Sequence, residues 1–439
     1  SLLPRVGPDY QAPIVKAPAA WQTPMPHGGN LAALTDWWRQ LDDPLLSTLI
    51  DAAQRESASL AQARARIVQA RSAAVGAGVA GLPTLDASRE IDLFGGIARD
   101  QEGAEARLAA TQARWHEARV SVAAETANAY LQLRYQERRV AQAAADAASR
   151  AETARLTSAL GRAGFSAPAQ VALATAGAAD GASTLAELRA ERDRQIKALV
   201  ALTALDEADL RRQLASASGR FPRPARFVVD ALPAQVLAQR PDVAAAERDL
   251  AAASAAIGRA AAARYPRLSL AGSITPLRLN TDGSRMSATT WSIGPTLSMP
   301  LFDGGRISAN VDAARADYAA AEAAYRQKAR EAVSEVEQAL VRLDAAAARE
   351  ASVQQAASDY RTAFLATEAS QRAGFATLID LEVTRRTLLA ADANLAAWQQ
   401  EQVAAWIALY RAVGGGWTRS DTHPDTPIAP QAALAGDAQ

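Results

Sequence analysis

The sequence has no cysteine, three histidines and few aromatic residues. Without cysteine there is no disulfide, thiolate metal site or cysteine nucleophile. The histidines, His27, His116 and His423, are too far apart in the sequence to suggest a zinc site. No Ser/His/Asp, paired-carboxylate or metal-ligand pattern rises above chance. We therefore predict that the protein is not an enzyme and uses no cofactor.

The chain also has no net charge, because 47 basic residues balance 47 acidic ones. This balance removes the basic surface that nucleic acids or anionic lipids would attract. No uninterrupted apolar run reaches the roughly 18 residues of a spanning helix, although the alternating strands of a membrane β-barrel leave a far weaker signal. Alanine supplies about a quarter of the residues, a bias that favours long packed helices.

One phrase is repeated half a chain apart. RAGF occurs at 162–165 and again at 372–375, which is 210 residues later (372 − 162 = 210). Each copy ends a helical pattern, over 97–160 and over 305–372, and a shorter helical pattern returns from it. A helix of some 60 residues is a rod of roughly 90 Å that cannot bury its apolar stripe alone. The pattern predicts two tandem coiled-coil hairpins.

The period changes from 3.6 to 2 between 266 and 300. Two alternating runs flank the turn sequence NTDGS, as expected for a β-hairpin with one apolar face toward lipid. The candidate membrane-facing residues are Leu268, Leu270, Ile274, Trp291, Ile293 and Leu297. Because an isolated two-stranded hairpin is unstable, we expect these strands to pair with strands of other copies of the chain.

These patterns divide the chain into six segments. They are an extended N-terminal segment (1–36), a first repeat (37–210) with its tip near 161–168, an equatorial linker and helix (211–265), a membrane β-hairpin (266–300), a second repeat (301–417) with its tip near 371–378, and a C-terminal tail (418–439). Within the first repeat a helical pattern runs from 44 to about 80.

The first repeat has too short a segment for a matching β-hairpin. Pro83 and Leu93 are 10 positions apart (93 − 83), whereas Pro266 and Leu301 are 35 apart (301 − 266). Either the first hairpin, at 83–93, is deleted or omitted from this sequence, or the pore is built abnormally, and we favour omission. If three copies closed one barrel, two strands from each would give only six strands, fewer than the eight whose interior side chains already fill.

Several long motifs resemble one family. They are GPDYQAP (7–13), WWRQLDDPLLSTLI (37–50), the paired LFGG and LFDGG phrases, LAQRPDVAAAERDLAAASAAIGRAAAARYPRLSL (237–270) and LYRAVGGGW (409–417). Together they make the chain similar to the TolC-type outer-membrane factors, in particular to the lipoprotein branch that serves tripartite resistance-nodulation-division drug-efflux pumps. The resemblance covers 7–417.

The resemblance implies a mainly α fold with a membrane β-hairpin, in which tandem-duplicated coiled-coil helices of a homotrimer form an α-barrel tunnel joined to a β-barrel. Such a protein is a passive exit duct for drugs or other small molecules, in the outer membrane of a Gram-negative bacterium with most of its mass in the periplasm. The implied partners are a periplasmic adaptor, an inner-membrane transporter and outer-membrane lipid. A lipidated N-terminal cysteine is usual in this branch, and Ser1 either follows or replaces it.

Two alternatives remain. The same duct could serve type I protein secretion, although the GPDYQAP start favours efflux. A periplasmic coiled-coil adaptor or scaffold is less favoured, because adaptors usually carry a lipoyl-like β-domain between their helices. The connection GRAGFSAP leaves no room for such a domain.

The resemblance also supplies candidate site residues. Family members often close the periplasmic tip with acidic rings just after the hairpin turn, and Asp380 falls on one such position. The second position is Val383, with Glu382 beside it, and Arg386 matches a basic tip residue that would pair with the acids. As solvated charges these side chains would have no such role. The candidate adaptor contacts at the tips are Arg162, Gly164, Phe165, Arg372, Gly374 and Phe375.

Three other features have ordinary explanations. GAGVAG at 76–81 fits a dinucleotide-binding fingerprint, but it ends a helical pattern instead of opening a helix after a strand. His116 is expected to be a packed or surface histidine. RPD at 240–242 is expected to begin an equatorial helix, with proline at the first helical position and an acid in the first turn.

Overall fold

The computed structural model describes residues 5–14, 18–22, 37–39, 41–77, 88–222, 237, 240–281 and 284–417. The helices in these ranges are α1 (Pro44–Glu56), α2 (Ala58–Gly76), α3 (Gly96–Arg162), α4 (Pro168–Thr203), α5 (Glu207–Ala215), α6 (Pro241–Ala262), α7 (Arg306–Arg372) and α8 (Leu378–Ala412). The strands are β1 (Ser88–Ile91), β2 (Arg267–Thr281) and β3 (Ser284–Ser298).

Two long helices dominate the molecule and repeat with the spacing of the RAGF phrase. The helices α3 and α7 each have 67 residues, about 100 Å of helix, and begin 210 residues apart (306 − 96). Both follow a glycine with positive φ, 79° at Gly95 and 84° at Gly305. The return helices α4 and α8 also start 210 residues apart (378 − 168). The tandem helical hairpins predicted from the sequence are therefore present.

The helical pattern predicted from 44 to about 80 is interrupted. Ser57 has an extended backbone (φ −63°, ψ 119°) between α1 and α2, and its Oγ accepts a hydrogen bond from the N–H of Leu60 at 3.3 Å. Serine competes for local backbone groups and so favours a cap over a helix interior. The prediction of one continuous helix was wrong, and α2 ends at Gly76, the first residue of the glycine motif. Gly78 and Gly81 lie outside the described residues.

The largest hydrophobic core lies at mid-height of the long helices. There Trp37, α1 and the end of α4 meet α3, α7 and the last turns of α8. The rings of Trp37 and Tyr410 stack at 5.2 Å, and both side chains are fully buried. This core fixes the two hairpins relative to each other within one chain.

The helix α6 begins as the RPD motif predicted. Pro241 is its first residue and Asp242 lies in its first turn, where a carboxylate is stabilised by the helix dipole. Arg240 is buried and forms ion pairs with the buried Asp242 at 2.6 Å and with the exposed Glu335 at 2.7 Å, and it donates a hydrogen bond to the Ala412 carbonyl at 2.9 Å. These contacts join α6 to α7 and to the end of α8.

The strands form an antiparallel sheet in the order β1-β2-β3. The hairpin β2-β3 is in register from Arg267↔Ser298 to Thr281↔Ser284. The short strand β1 pairs with β2 from Ser88↔Ala271 to Ile91↔Leu268. The chain thus supplies a third strand from the shortened hairpin region 83–93. Pairing with other copies of the chain stays a prediction.

Candidate functional site

The two hairpin tips have the same backbone conformation. At the first tip the N–H of Phe165 donates to the carbonyl of Leu160 at 2.8 Å, and that of Gly164 donates to Gly161 at 3.1 Å. At the second tip, Phe375 donates to Ser370 and Gly374 to Gln371 at the same distances. This is the Schellman pattern of helix ends, which needs a left-handed residue that glycine supplies. The φ values are 81° at Gly164 and 82° at Gly374.

Each tip presents an aromatic ring to solvent. Phe165 is 82% exposed and Phe375 is 90% exposed. Arg162 and Arg372 are also exposed, one turn before each ring. Isolated exposed apolar side chains are common, but here two large rings occupy equivalent turns, so the contact role predicted for these turns stays a prediction that the exposure of the rings permits.

The two tips lie at the same end of the molecule. Ala154 of α3, Ala174 of α4 and the first turns of α8, Leu378 and Leu381, form one buried cluster close to both turns. The six candidate tip residues are therefore brought together at one end.

Asp380 takes part in a capping box at the start of α8. Its Oδ2 accepts hydrogen bonds from the Thr377 N–H at 2.9 Å and the Thr377 hydroxyl at 2.6 Å. In return, the Asp380 N–H donates to the Thr377 hydroxyl at 3.1 Å. These hydrogen bonds lower the pKa of Asp380. The carboxylate is exposed and charged. Asp380 therefore caps the start of α8, in addition to any role it has as a gate.

Glu382 and Arg386, the other gate candidates, do not meet in this chain. Glu382 forms ion pairs with Arg150 at 3.0 Å and with Arg385 at 2.7 Å. Arg386 is exposed. Among the described residues of one chain Glu382 and Arg386 form no ion pair, although their i, i+4 spacing allows one, because Glu382 binds Arg150 and Arg385 instead. Pairing of Arg386 with acids of other copies stays a prediction.

Arg385 is the residue that the sequence reading missed. Its side chain is 2% exposed and lies between α8 and α3, where it donates to the Ser149 hydroxyl at 2.9 Å. Its Nε lies 3.7 Å from a carboxylate oxygen of Asp146, which itself binds Arg150 at 2.8 Å. The Glu382–Arg385 spacing of i, i+3 was readable from the sequence. The partners on α3, more than 230 residues away, were not.

The surroundings of Arg385 act on the pKa of its guanidinium in opposite directions. Burial is the largest influence on the pKa of Arg385 and lowers it, while Glu382 and Asp146 oppose that effect. The guanidinium also lies over the ring of Phe364, 5.5 Å from its centre. A buried charge with several partners favours one arrangement of α8 and α3, since separating these two helices leaves a charge unpaired.

The β2-β3 hairpin carries an exposed apolar face. Cross-strand neighbours share a face of a sheet, and the register pairs Leu268 with Leu297 and Ile274 with Trp291. Ile293 lies opposite Gly272, and Leu270 lies opposite Pro295. Trp291 is 74% exposed and Ile293 66% exposed. All six predicted positions therefore lie on one face; the side chain of Ile274 lies outside the described ones.

Other candidate chemistry is not supported. Among the described residues, no group of histidine or acidic side chains is arranged to hold a metal ion. His116 packs edge-on against Trp115 at 4.8 Å between ring centres, as expected for a packed histidine. In the part of the chain that the structure describes, no helix combines the length and apolar character needed to cross a membrane.

Comparison with known proteins agrees with this architecture. Residues 232–415 match the sequence profile of the family described as outer membrane efflux protein. Nodulation protein T of Rhizobium leguminosarum bv. viciae is 30% identical over 440 residues, which cover 94% of this chain and 90% of that protein. The pyoverdine export outer membrane protein OpmQ of Pseudomonas putida is 29% identical, over 92% of this chain and 93% of that protein.

The fold has solved relatives as well. The structure of the Campylobacter jejuni CmeC outer membrane channel superposes with a TM-score of 0.81 over 95% of this chain and 96% of that one. The two sequences are 20% identical, so this likeness concerns the fold alone.

Proposed function

The chain belongs to the outer membrane efflux protein family, and from this we propose that three copies of it form the outer-membrane channel of a tripartite efflux pump that exports small molecules. In this proposal the channel is passive. Its energy comes from an inner-membrane transporter.

One observation carries this proposal. An exposed apolar face on the β2-β3 hairpin lies at one end of two 67-residue helices, and two exposed phenylalanine turns lie at the other. Each strand has 15 residues, enough to cross the hydrocarbon core when tilted. The helices, about 100 Å long, extend away from the membrane. We therefore place the strands in the outer membrane and most of the mass in the periplasm.

The tips are the proposed contact with a periplasmic adaptor. Phe165 and Phe375 sit on equivalent turns, with Arg162 and Arg372 beside them, so one adaptor surface can bind both. Aromatic and arginine side chains are the residue types that most often contribute binding energy at protein interfaces.

Asp380 and Glu382 are the proposed gate carboxylates at the tunnel end. Three-fold repetition would bring three exposed Asp380 side chains around one axis, where like charges repel and attract cations. Glu382 already has two basic partners in its own chain, so Asp380 is the stronger candidate. Arg386, exposed on the same helix, remains available to a neighbouring copy.

An acyl anchor at the N-terminus is part of the proposal. The N–H of Val6 donates to the Phe94 carbonyl at 3.0 Å, and Arg99 forms an ion pair with Asp9 at 2.7 Å. These contacts hold the N-terminal segment at the strand-bearing end of α3. Lipid chains attached ahead of this segment would enter the same membrane as the strands.

A planar-bilayer experiment tests the channel. The purified full-length native protein, including any first hairpin, should give discrete single-channel steps, and a protein that inserts without conducting would refute the proposal. Asp380→Asn should change the conductance or cation preference if the carboxylate gates the tunnel. Thr377→Ala, which keeps the charge and removes its capping partner, is the control for a purely structural effect.

A further inference from the structure

A cavity lies between the two hairpins of one chain, where α3 of the first hairpin meets α7 and α8 of the second. Along α3 it lies between the large core, which reaches Leu133, and the tip that follows Arg162. Its volume is about 500 Å³, within the usual range of small-molecule sites. The roles proposed for the tips, the strands and Asp380 make no use of this cavity.

One part of the cavity lining is apolar. Phe364 of α7 and Leu388 and Leu389 of α8 are half-buried there, and Leu365 is 54% exposed. These side chains keep part of their surface in water within one chain. An apolar ligand body that covered them would therefore be favoured by the hydrophobic effect.

Five charged side chains also line the cavity, and they are Arg138, Arg361, Arg385, Asp146 and Asp392. Asp392 already accepts a hydrogen bond from Arg361 at 2.7 Å. In the described part of the chain Arg138 has no acidic partner, and its guanidinium lies over the ring of Phe221, 5.8 Å from the ring centre. With three arginines against two carboxylates, the lining carries an excess positive charge.

Arg385 brings a buried donor that is not satisfied. Its two terminal nitrogens donate to Glu382 at 2.7 Å and to Ser149 at 2.9 Å. Its Nε is buried and finds no hydrogen-bond acceptor among the described residues, since the nearest oxygen of Asp146 is 3.7 Å away. A buried N–H without an acceptor is costly, so a ligand oxygen that reaches it gains more than at an exposed donor.

The packing of the hairpins does not require these arginines. Shifted by the 210 residues of the repeat, Arg138, Arg361 and Arg385 correspond to Ala348, Ala151 and Thr175. The backbone of the two repeats is equivalent, and yet all three positions are uncharged in the other repeat. The arginines are therefore a feature of this one cavity.

We propose that the cavity binds a small organic anion with an apolar body. The acidic group accepts hydrogen bonds from Arg138 and from the Nε of Arg385, and the apolar body covers Leu388 and Leu389. A guanidinium offers several donors in one plane and suits carboxylate or sulfonate oxygens. All of these groups belong to one chain, so the inference does not depend on the proposed channel.

A set of three matched probes tests the preference for an anion. Naphthalenesulfonate, its neutral analogue naphthylmethanol and its cationic analogue naphthylmethylammonium are titrated into the full-length protein in nanodiscs by isothermal calorimetry, with empty nanodiscs as the blank. We expect saturable binding of one sulfonate per chain, and binding at least about tenfold weaker for the other two probes. Equal affinities would overturn the proposal, because the cavity would then be an apolar surface alone.

Neighbouring arginines provide a matched pair of variants. Arg138→Gln should weaken sulfonate binding about tenfold, since it removes a charged donor from the cavity. Arg139, the next residue, lies over the ring of Tyr135 outside the lining, so Arg139→Gln should leave the affinity unchanged. Equal losses in the two variants would contradict a role of Arg138 in the site.

A second pair of variants adds a charge instead of removing one. Ala141 lines the cavity and is exposed, so Ala141→Glu should fold, as circular dichroism can verify, and should abolish sulfonate binding by repulsion. Ala141→Gln adds the same bulk without the charge and should retain most of the affinity. Binding that survives both Arg138→Gln and Ala141→Glu would lie elsewhere and would overturn the proposal. An absence of saturable binding would overturn it too, whereas the conductance of the channel, measured separately, would be unaffected.

Discussion

The two helical hairpins share a backbone but differ in what their return helices present to the neighbouring long helix. The second return helix, α8, sends Glu382 and Arg385 to α3. At the equivalent positions α4 has Ala172 and Thr175, 210 residues earlier. On the long helices, Asp146 and Arg150 of α3 correspond to Ala356 and Tyr360 of α7. The duplication preserved the backbone geometry of the hairpins, whereas the charged cluster is present where α8 packs against α3 and is missing at the equivalent positions of α4 and α7.

This difference shows that specific charges hold α3 and α8 together. Inside the chain, near the tips, α3 and α8 are joined by a buried ionic cluster that is costly to separate. At the equivalent positions of the other hairpin, α4 and α7 carry the uncharged side chains of Ala172, Thr175, Ala356 and Tyr360. If the tunnel end opens, we expect the hairpins of one chain to move together and the seams between chains to part.

The largest effect should come from breaking the ionic cluster. Arg385→Met leaves Asp146 and Glu382 with Arg150 as their remaining partner, and it should lower the free energy of unfolding by about 3 kcal/mol. Urea denaturation followed by circular dichroism measures this. Arg386→Met and Thr175→Met are the controls, expected within about 0.5 kcal/mol of the parent protein. Equal effects at 385 and 386 would contradict the cluster's importance.

Replacing by alanine the two glycines that precede the long helices should lower the free energy of unfolding by different amounts. Gly305→Ala meets no neighbour and should cost about 1 kcal/mol for its positive φ. Gly95→Ala has a similar φ but would place its Cβ 2.9 Å from the Cα of Arg5, which should add about 1–3 kcal/mol. Denaturation of the two variants side by side gives the difference. Indistinguishable values would mean that the N-terminal segment is not packed against Gly95.

The starts of the return helices differ by a capping box. Thr377→Ala should weaken the first turn of α8 by about 1 kcal/mol. In the first repeat α4 begins after Ala167 without a side-chain cap, and Gln170 lies at the third helical position. Ala167→Thr should therefore complete a box there and slow amide exchange in that turn. No change in exchange at either end would argue against the role of the caps.

A smaller effect is expected from pH, which should weaken the first turn of α8 but not that of α4. Because hydrogen bonds from Thr377 lower the pKa of Asp380 below its unfolded value, their stabilisation is complete above that unfolded pKa, near 4. It is lost as the pH falls through the lower, folded pKa. The protection of the first-turn amides of α8 against exchange, relative to the intrinsic exchange rate at each pH, should fall on acidification, whereas the protection at the start of α4, capped by no carboxylate, should not respond. Thr377→Ala should abolish the difference.

Much of the fold could be predicted because it depends on local chemistry. Helical periodicity without proline, and a glycine where a helix must end, can be recognised within a short stretch of consecutive residues. The break at Ser57 escaped notice, since serine is tolerated in helix interiors and nothing beside it demands an extended backbone. The alternation in 266–300 identified the apolar strand face for the same local reason.

The candidate site was less accessible to sequence reasoning. The tips and Asp380 were found because they follow a repeated turn. Arg385 was missed in favour of its neighbour Arg386, since a helix turns about 100° per residue and only packing decides which of two adjacent arginines is buried.

By itself the sequence determined two helical hairpins of equal length, their turns and one apolar strand face, because these follow from periodicity and turn chemistry within short stretches. Only the tertiary structure decided that Arg385 bridges to Asp146 and Ser149, that 88–91 adds a third strand, and that Arg240 joins the start of α6 to α7 and α8. Each of these depends on residues far apart in the chain, whose meeting is set by packing and not by local preference.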